Sequence, residues 1–419
     1  MLHRISSLSR CSSAWSAKDC NAKLRYKKIR RLKGAMSHAG VVTAGSVDKE
    51  VKLEDFELER ASQRRNEPAT ETCNDDKNNG HLVVLVNGLW GQAKHWDTMK
   101  NALYSSLGSE KYSIHASRAN QLFATYDGID ACGRRLADEI QELAAGSSRN
   151  LKKISIIGHS MGGLISRNAI AKLFDRGSGT VCGLEPQHFI TLATPHVGFD
   201  HKHESAGLPL TSWVSRYVPL GGETIGGFLD SVAPSIASTF LGKAGAEFFH
   251  RDDTDDFSIV YKMSFDHEDE QELYVTSLKS FKTRTVYANM SGDHLVGWEN
   301  SSLRTKEEQR NLKIVYNEAM PVGVVREDPL ECAWSNSEAL VSSSKQIRHP
   351  EAVHERIEVA LDNLRRIGWR RIDVCYHGSF VPFLSHQHIM VQRPFINSVG
   401  YSTVQHLSAQ FARMEKVLE

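Results

Sequence analysis

The stretch from Leu151 to Phe174, LKKISIIGHSMGGLISRNAIAKLF, constrains the fold more than any other. Ile154, Ile156 and Ile157 make a short β-branched apolar run, and Leu164, Ile165, Ala169, Ile170 and Leu173 recur at helical intervals. The pattern predicts a buried strand that runs almost directly into an amphipathic helix. Only Gly158-His159-Ser160-Met161-Gly162 lies between them. So abrupt a reversal leaves no room for Cβ atoms beside its central residue, whose own backbone is strained, and glycine therefore stands on both flanks. Ser160 is expected at the tip, at a helix N-terminus whose free N–H groups point at any approaching oxygen.

This is the pattern of a nucleophile elbow. A bare G-x-S-x-G also describes an ordinary surface turn, but here an apolar strand precedes it and a helix supported by Gly163 follows. A serine hydroxyl alone is a poor nucleophile. The elbow obliges the rest of the chain to supply a base histidine, a carboxylate that orients it and a second N–H donor for an oxyanion.

With 419 residues and 40% apolar content the chain has enough material for one large α/β domain with extensions, or for two ordinary domains. Its formal charge of +1 gives no ground for a nucleic-acid partner. Cys11, Cys20, Cys73, Cys132, Cys182, Cys332 and Cys375 contain no C-x-x-C pair, which supports neither a structural zinc nor a redox motif and favours a reducing compartment. Residues 1–36 carry ten lysines and arginines against the single acid Asp19, and the charge reverses from Asp48 to Asp76. That composition fits a plastid or mitochondrial transit peptide as well as the disordered tail of a cytoplasmic protein. The run YKKIRRLK within it also suits peripheral contact with an anionic membrane. Residues 1–79 are thus read as a disordered or targeting extension, and the ordered domain as 80–400.

Along that domain, HLVVLV at 81–86 is a strand, and Asn87-Gly88-Leu89-Trp90-Gly91 after it is a tight loop whose backbone N–H groups face inward. A helix is expected from about Trp96 through Leu103, a short strand at Ser113–Ala116, and a second helix on Cys132, Leu136, Ile140 and Leu143. HFITL at 188–192 is the strand after the elbow helix. Strand, helix, strand in this order implies a mostly parallel sheet with helices on both faces and all strand C-ends along one ligand-binding edge. His196, just beyond, is assigned to loop structure or pocket lining.

Residues 205–250 are apolar and broken by glycine and proline, and we read them as a helical cap that offers a greasy wall to a substrate. TRTVYA at 283–288 is a late strand that delivers Asp293 in the next turn, where an orienting acid belongs. Residues 299–350 are polar and contain Pro321, Pro329 and Pro350, so they are expected to be an irregular insertion of mostly surface loop. A helix from Val353 to Ile367 and the strand WRRIDVCY at 369–376 follow, and 401–419 form a tail or helix. Three histidines come after the last strand. His386 has the reach of a catalytic base from a loop, whereas His377, at the strand end, either holds that loop or is the second choice for base; His388 sits two residues past His386. No acid neighbours them and no H-E-x-x-H helix exists, so neither a metal nor an organic cofactor is expected.

These blocks together resemble the eukaryotic serine esterase family of the α/β-hydrolase superfamily, in particular its plant lipase-like members. The resemblance runs from His81 to about Val399 through LVVLVNGLWG, IGHSMGGLISRNAI, FITLATPHVG, FLGKAGAEFF, VYANMSGDHLVGW, and RRIDVCYHGSF with LSHQHI. It implies Ser160 as nucleophile, Asp293 as the acid of the YAN block and His386 as the base of the final H-x-x-I block. It also implies a cap and a lipid or small acyl-ester substrate. Asn87-Gly88 stands where many α/β-hydrolases have His-Gly, and Glu299-Asn300 where relatives are more basic. The chemistry expected is carboxylic-ester hydrolysis through an acyl-enzyme, with the backbone N–H groups of Leu89 and Met161 receiving the oxyanion. Two other readings are acyl transfer to an alcohol and a non-catalytic lipid-binding or scaffold protein on the same fold.

Overall fold

The run HLVVLV becomes strand β1, Gly80–Val86, buried along its whole length. A strand buried on both faces has to be apolar at consecutive positions, and that is what the sequence supplies. The computed structural model describes residues 80–147, 150–199, 242–250, 252, 257–266, 272–315, 322–334, 350, 352–376, 379, 381 and 384–419. All of them lie within the unit Asn74–Glu419.

The further strands are β2 (Tyr112–Ala116), β3 (Leu151–His159), a two-residue hairpin of β4 (Phe174–Asp175) and β5 (Thr180–Val181), β6 (Glu185–Leu192), β7 (Thr283–Asn289), β8 (Gly323–Glu327) and β9 (Arg370–Cys375). Seven of them form one sheet in the order β2-β1-β3-β6-β7-β9-β8. Its neighbours are parallel except for β8, which runs antiparallel to β9 at the edge.

Alternation along each strand divides the core between the two faces. Leu82, Val84, Ile154 and Ile156 meet Ile129, Leu136 and Ile140 of helix Ile129–Gly146 and Leu164 and Ile165 of helix Met161–Leu173. Val83, Leu85 and Ile157 face the other way, onto Trp96, Met99 and Leu103 at helix Asp97–Leu107 and Leu407 and Phe411 of helix Tyr401–Leu418. A mostly parallel sheet covered by helices on both faces, with further helices inserted, is the α/β-hydrolase arrangement.

Past the strand ends the loops stay in register. Ser160 N–H donates to Leu192 O at 2.8 Å, Ala193 N–H to Tyr287 O at 2.9 Å and Met290 N–H to Val374 O at 2.8 Å. Each loop is thereby tied to the strand beside it, and the C-ends of β3, β6, β7 and β9 form one continuous ledge.

Two expectations need correction. The described part of residues 299–350 is not mostly surface loop: it holds helices Gly297–Ser301 and Lys306–Val315, strand β8 and a 3-10 turn at Leu330–Ala333. The polar residues that suggested solvent pair internally instead. Arg304 meets buried Asp373 at 2.7 Å, and Arg371 reaches Asp328 at 2.7 Å and Glu308 at 2.9 Å. Of the tail or helix expected at 401–419 it is the helix that forms, and Tyr401–Leu418 buries Val404, Leu407, Phe411 and Met414 against the sheet, so the domain continues past 400. Residues 1–79, the 205–241 part of the expected cap and His377 lie outside the described residues; Gly242–Phe248 is a helix.

That last long helix is pinned by one carboxylate. His188 Nε2 donates to Glu415 Oε1 at 2.7 Å, while His81 Nδ1 and Tyr112 OH donate to Oε2 at 3.2 and 2.8 Å. The histidines' other nitrogens meet Ser155 Oγ at 2.8 Å and Thr283 Oγ1 at 2.7 Å, so each ring is held at both of its nitrogens. Burial by itself would raise the Glu415 pKa, but the bonds from His188 and His81 outweigh it and hold the group far below the usual carboxylate range. Glu415→Ala leaves these buried donors unpaired and is expected to cost about 3 kcal/mol. A urea midpoint lowered at constant slope measures it, and an unchanged midpoint would mean that the apolar face alone holds the helix.

Candidate active site

The elbow forms as the glycine pattern requires. Ser160 has φ 57° and ψ −132°, a region costly for any residue with a side chain, between the end of β3 and helix Met161–Leu173. A Cβ on Gly158 would lie 2.7 Å from Gly163 Cα, and one on Gly162 would lie 2.2 Å from Val86 O. The strain is held because neither flank has room to relax.

The loop after β1 comes right up to this turn. A Cβ on Gly88 would stand 2.7 Å from Ser160 Cβ and 3.0 Å from Met161 N, so glycine is what lets the Leu89 backbone approach the elbow. The next two amides are engaged, Trp90 N–H with Thr125 Oγ1 at 3.3 Å and Gly91 N–H with Gly88 O at 2.9 Å. Asn87 ties the loop down by donating to Asn120 O at 2.7 Å.

Asp293 and His386 come together. His386 Nδ1 donates to Asp293 Oδ2 at 3.0 Å, and the backbone of the two loops meets in a β-bridge between Asp293 and Leu384. Asp293 is buried and accepts three more bonds, from Asn289 Nδ2 at 2.8 Å and from the Leu295 and Val296 amides at 3.0 Å each. Burial would push its pKa up, but the charge and hydrogen bond of His386, helped by the Val296 amide and Asn289, bring it well below the ordinary carboxylate value. His386 sits in the one-turn helix Ser385–His388; with Nδ1 committed to Asp293, Nε2 is the ring nitrogen left to accept a proton.

Two positioning residues escaped the sequence reading. His159, the residue before Ser160, donates from Nε2 to the backbone oxygen of His386 at 2.8 Å and packs against its ring at 4.7 Å between centroids. Burial, with His386 close by, pushes its pKa down to about 3, so it stays a neutral donor across the physiological range. Asn289 is the other, through its bond to Asp293. Both stand inside motifs that had already been singled out, but a neighbour's partner across more than 200 residues has no local pattern to betray it.

Ser160, Asp293 and His386 open on one cavity of about 1160 Å³, with Leu89, Phe199, Phe248, Phe249 and Met390 among its apolar walls. His294 also lines it, whereas His196 does not: that ring is buried, its Nε2 bonded to Thr191 Oγ1 at 2.9 Å. His388 holds its own loop, with Nε2 donating to Val381 O at 2.9 Å and Nδ1 accepting from Asn397 Nδ2 at 3.0 Å.

A family model described as "Putative serine esterase (DUF676)" matches residues 76–303, more than half of the chain, and takes in Ser160 and Asp293 but stops before His386. The chain is similar to "Putative lipase ROG1" of Saccharomyces cerevisiae, 26% identical over 53% of this chain and 28% of that protein. It is also similar to "Putative lipase C4A8.10" of Schizosaccharomyces pombe, 22% identical over 54% of this chain and 26% of that protein. The chain thus spans under a third of the length of these curated relatives. Both are fungal, and the likeness stands at the level of the family, not of a plant lipase-like subdivision. Among solved structures it is similar to phospholipase PlaB from Legionella pneumophila, 17% identical over 51% of this chain and 40% of that one with a TM-score of 0.30, too low to carry an argument.

Proposed function

The chain belongs to the family described as putative serine esterase (DUF676), and from that premise we propose that it hydrolyses carboxylic esters, with lipid acyl esters as its substrates. The observation that carries the reading is the His386–Asp293 pair at 3.0 Å opening on the same cavity as the strained Ser160. His386 Nε2 takes the Ser160 hydroxyl proton as Oγ attacks the ester carbonyl carbon. The Leu89 and Met161 N–H groups receive the oxyanion; the close approach of Gly88, the residue before Leu89, to Ser160 and Met161 supports that pairing. Collapse breaks the ester C–O bond, and the alcohol leaves with the proton from His386. Water then gives a proton to His386 and attacks the acyl carbon, and Ser160 recovers its hydrogen. His386 handles every proton, so these steps call for no cofactor.

The lipid part of the reading rests on the size of the cavity and on its phenylalanine walls, which suit an acyl chain better than a small polar ester. Treatment with a fluorophosphonate probe is expected to leave one phosphonyl group on the peptide that contains Ser160. An adduct on another residue would overturn the assignment. Across an ester series kcat/KM is expected to rise from short to long acyl chains, and a flat or falling profile would remove the lipid preference while leaving the esterase.

A further inference from the structure

The mouth of the cavity carries large apolar side chains that the fold holds out in water. On one side the turn after the histidine helix reads Arg393-Pro394-Phe395-Ile396-Asn397, and Phe395 at its tip is 101% exposed, with Ile396 exposed beside it. The turn is firmly closed: Ile396 and Asn397 N–H both donate to Arg393 O, at 3.0 and 2.8 Å, and Arg393 N–H donates to Asn397 Oδ1 at 2.9 Å. On another side stand exposed Trp90 and Leu122, with Phe123 72% exposed beside them. Trp90 and Leu122 have φ of 56° and 52°, left-handed values unfavourable for bulky residues, so backbone strain accompanies their display. Trp90 donates its indole N–H to Tyr126 OH at 2.5 Å, and the Tyr126 ring lies 5.8 Å from that of Phe123. The result is an aromatic group with an apolar body and a polar edge, suited to a water–lipid boundary.

Charge is placed to match. Lys94 and Arg393 line the mouth on the Phe395 side, and among the described residues neither has a carboxylate within ion-pair distance. Both act on the half-buried His95 between them, lowering its pKa after burial has done so. The exposed acids of the same cavity are Asp97 and Glu299, and Asp293 is spent on His386. A greasy, rigid tip flanked by unpaired cations, around the opening of an apolar cavity, is complementary to acyl chains beneath anionic headgroups.

We infer that this rim is a docking surface for an anionic phospholipid layer, with Phe395 and Ile396 entering the acyl boundary and Lys94 and Arg393 lying at the headgroups. The orientation that seats the rim also turns the cavity mouth toward the lipid. The surface stands apart from the esterase reading, because it binds whether or not Ser160 reacts.

The test is co-sedimentation of the full chain, as Ser160→Ala, with phosphatidylcholine–phosphatidylserine vesicles. Phe395→Ser with Ile396→Ser is expected to weaken binding by about 30-fold, the loss of two partly buried side chains. Lys94→Gln with Arg393→Gln is expected to weaken it by about tenfold, with little further loss on added salt. All four positions are exposed, and unchanged thermal unfolding of the variants confirms their fold. Binding equal to that of the parent in the apolar pair would overturn the inference, as would loss without any dependence on phosphatidylserine. Vesicle binding with no ester hydrolysis by the unmutated chain would leave the rim standing and the esterase reading fallen; hydrolysis without vesicle binding would do the reverse.

Discussion

Ser160→Ala is expected to lower kcat for ester hydrolysis by about a million-fold, the scale seen when a serine nucleophile is removed from an intact site. The change deletes one oxygen and asks nothing new of the backbone, because alanine at φ 57° meets the same strain as serine. His386, Asp293 and the cavity stay in place, so substrate binding is expected to persist while the covalent step is lost. Any residual rate comes from binding and from the oxyanion donors. Steady-state kinetics beside a direct measurement of ester binding separates the two. Activity within tenfold of the parent would place the nucleophile elsewhere.

Asp293→Asn is expected to cost about ten-thousand-fold in kcat, with KM nearly unchanged. The hydrogen bonds decide how the amide sits. Oδ1 of Asp293 accepts from the Leu295 and Val296 amides, so the asparagine oxygen must take that place and its NH₂ must face His386. Asn289 can accommodate this by turning over, since its own Oδ1 is buried and has no partner among the described residues. His386 Nδ1 then accepts where it had donated, the ring proton moves to Nε2, and Ser160 loses its base. A kcat within tenfold of the parent would remove Asp293 from the mechanism. Stability carries a second signature. A carboxyl whose pKa is depressed by folding adds stability above its unfolded value, near 4, and loses it as pH falls. The parent is therefore expected to be more stable than Asp293→Asn at neutral pH, with the gap closing in acid.

The parts of this molecule that were readable from sequence are those with a local signature. The elbow declares itself because strand, paired glycines and helix fall within one short stretch, and β1 because a doubly covered strand must be apolar throughout. Asp293 was legible as a carboxylate in the turn after a late strand, and His386 as one of three histidines past the last strand, with the reach of a base and singled out by the resemblance to the esterase family. Polarity misled at 299–350, since a salt bridge buried against β9 has the same composition as a solvated loop; only the position of Asp373 distinguishes them. His159 and Glu415 were missed for the opposite reason. Each acts through partners hundreds of residues away, and nothing near either one marks it.

The Glu415 anchor bears on how the chain is made. His81 and its carboxylate partner are 334 residues apart, so at ordinary rates of translation β1 waits on the order of tens of seconds for the group that completes its far end. During that interval His81, His188 and the apolar face later covered by Phe411 lie open, even though every strand between β1 and β7 has been synthesised. Closing the sheet is therefore a late event in the life of a nascent chain, and assistance during synthesis matters most at the end of the sheet opposite the cavity.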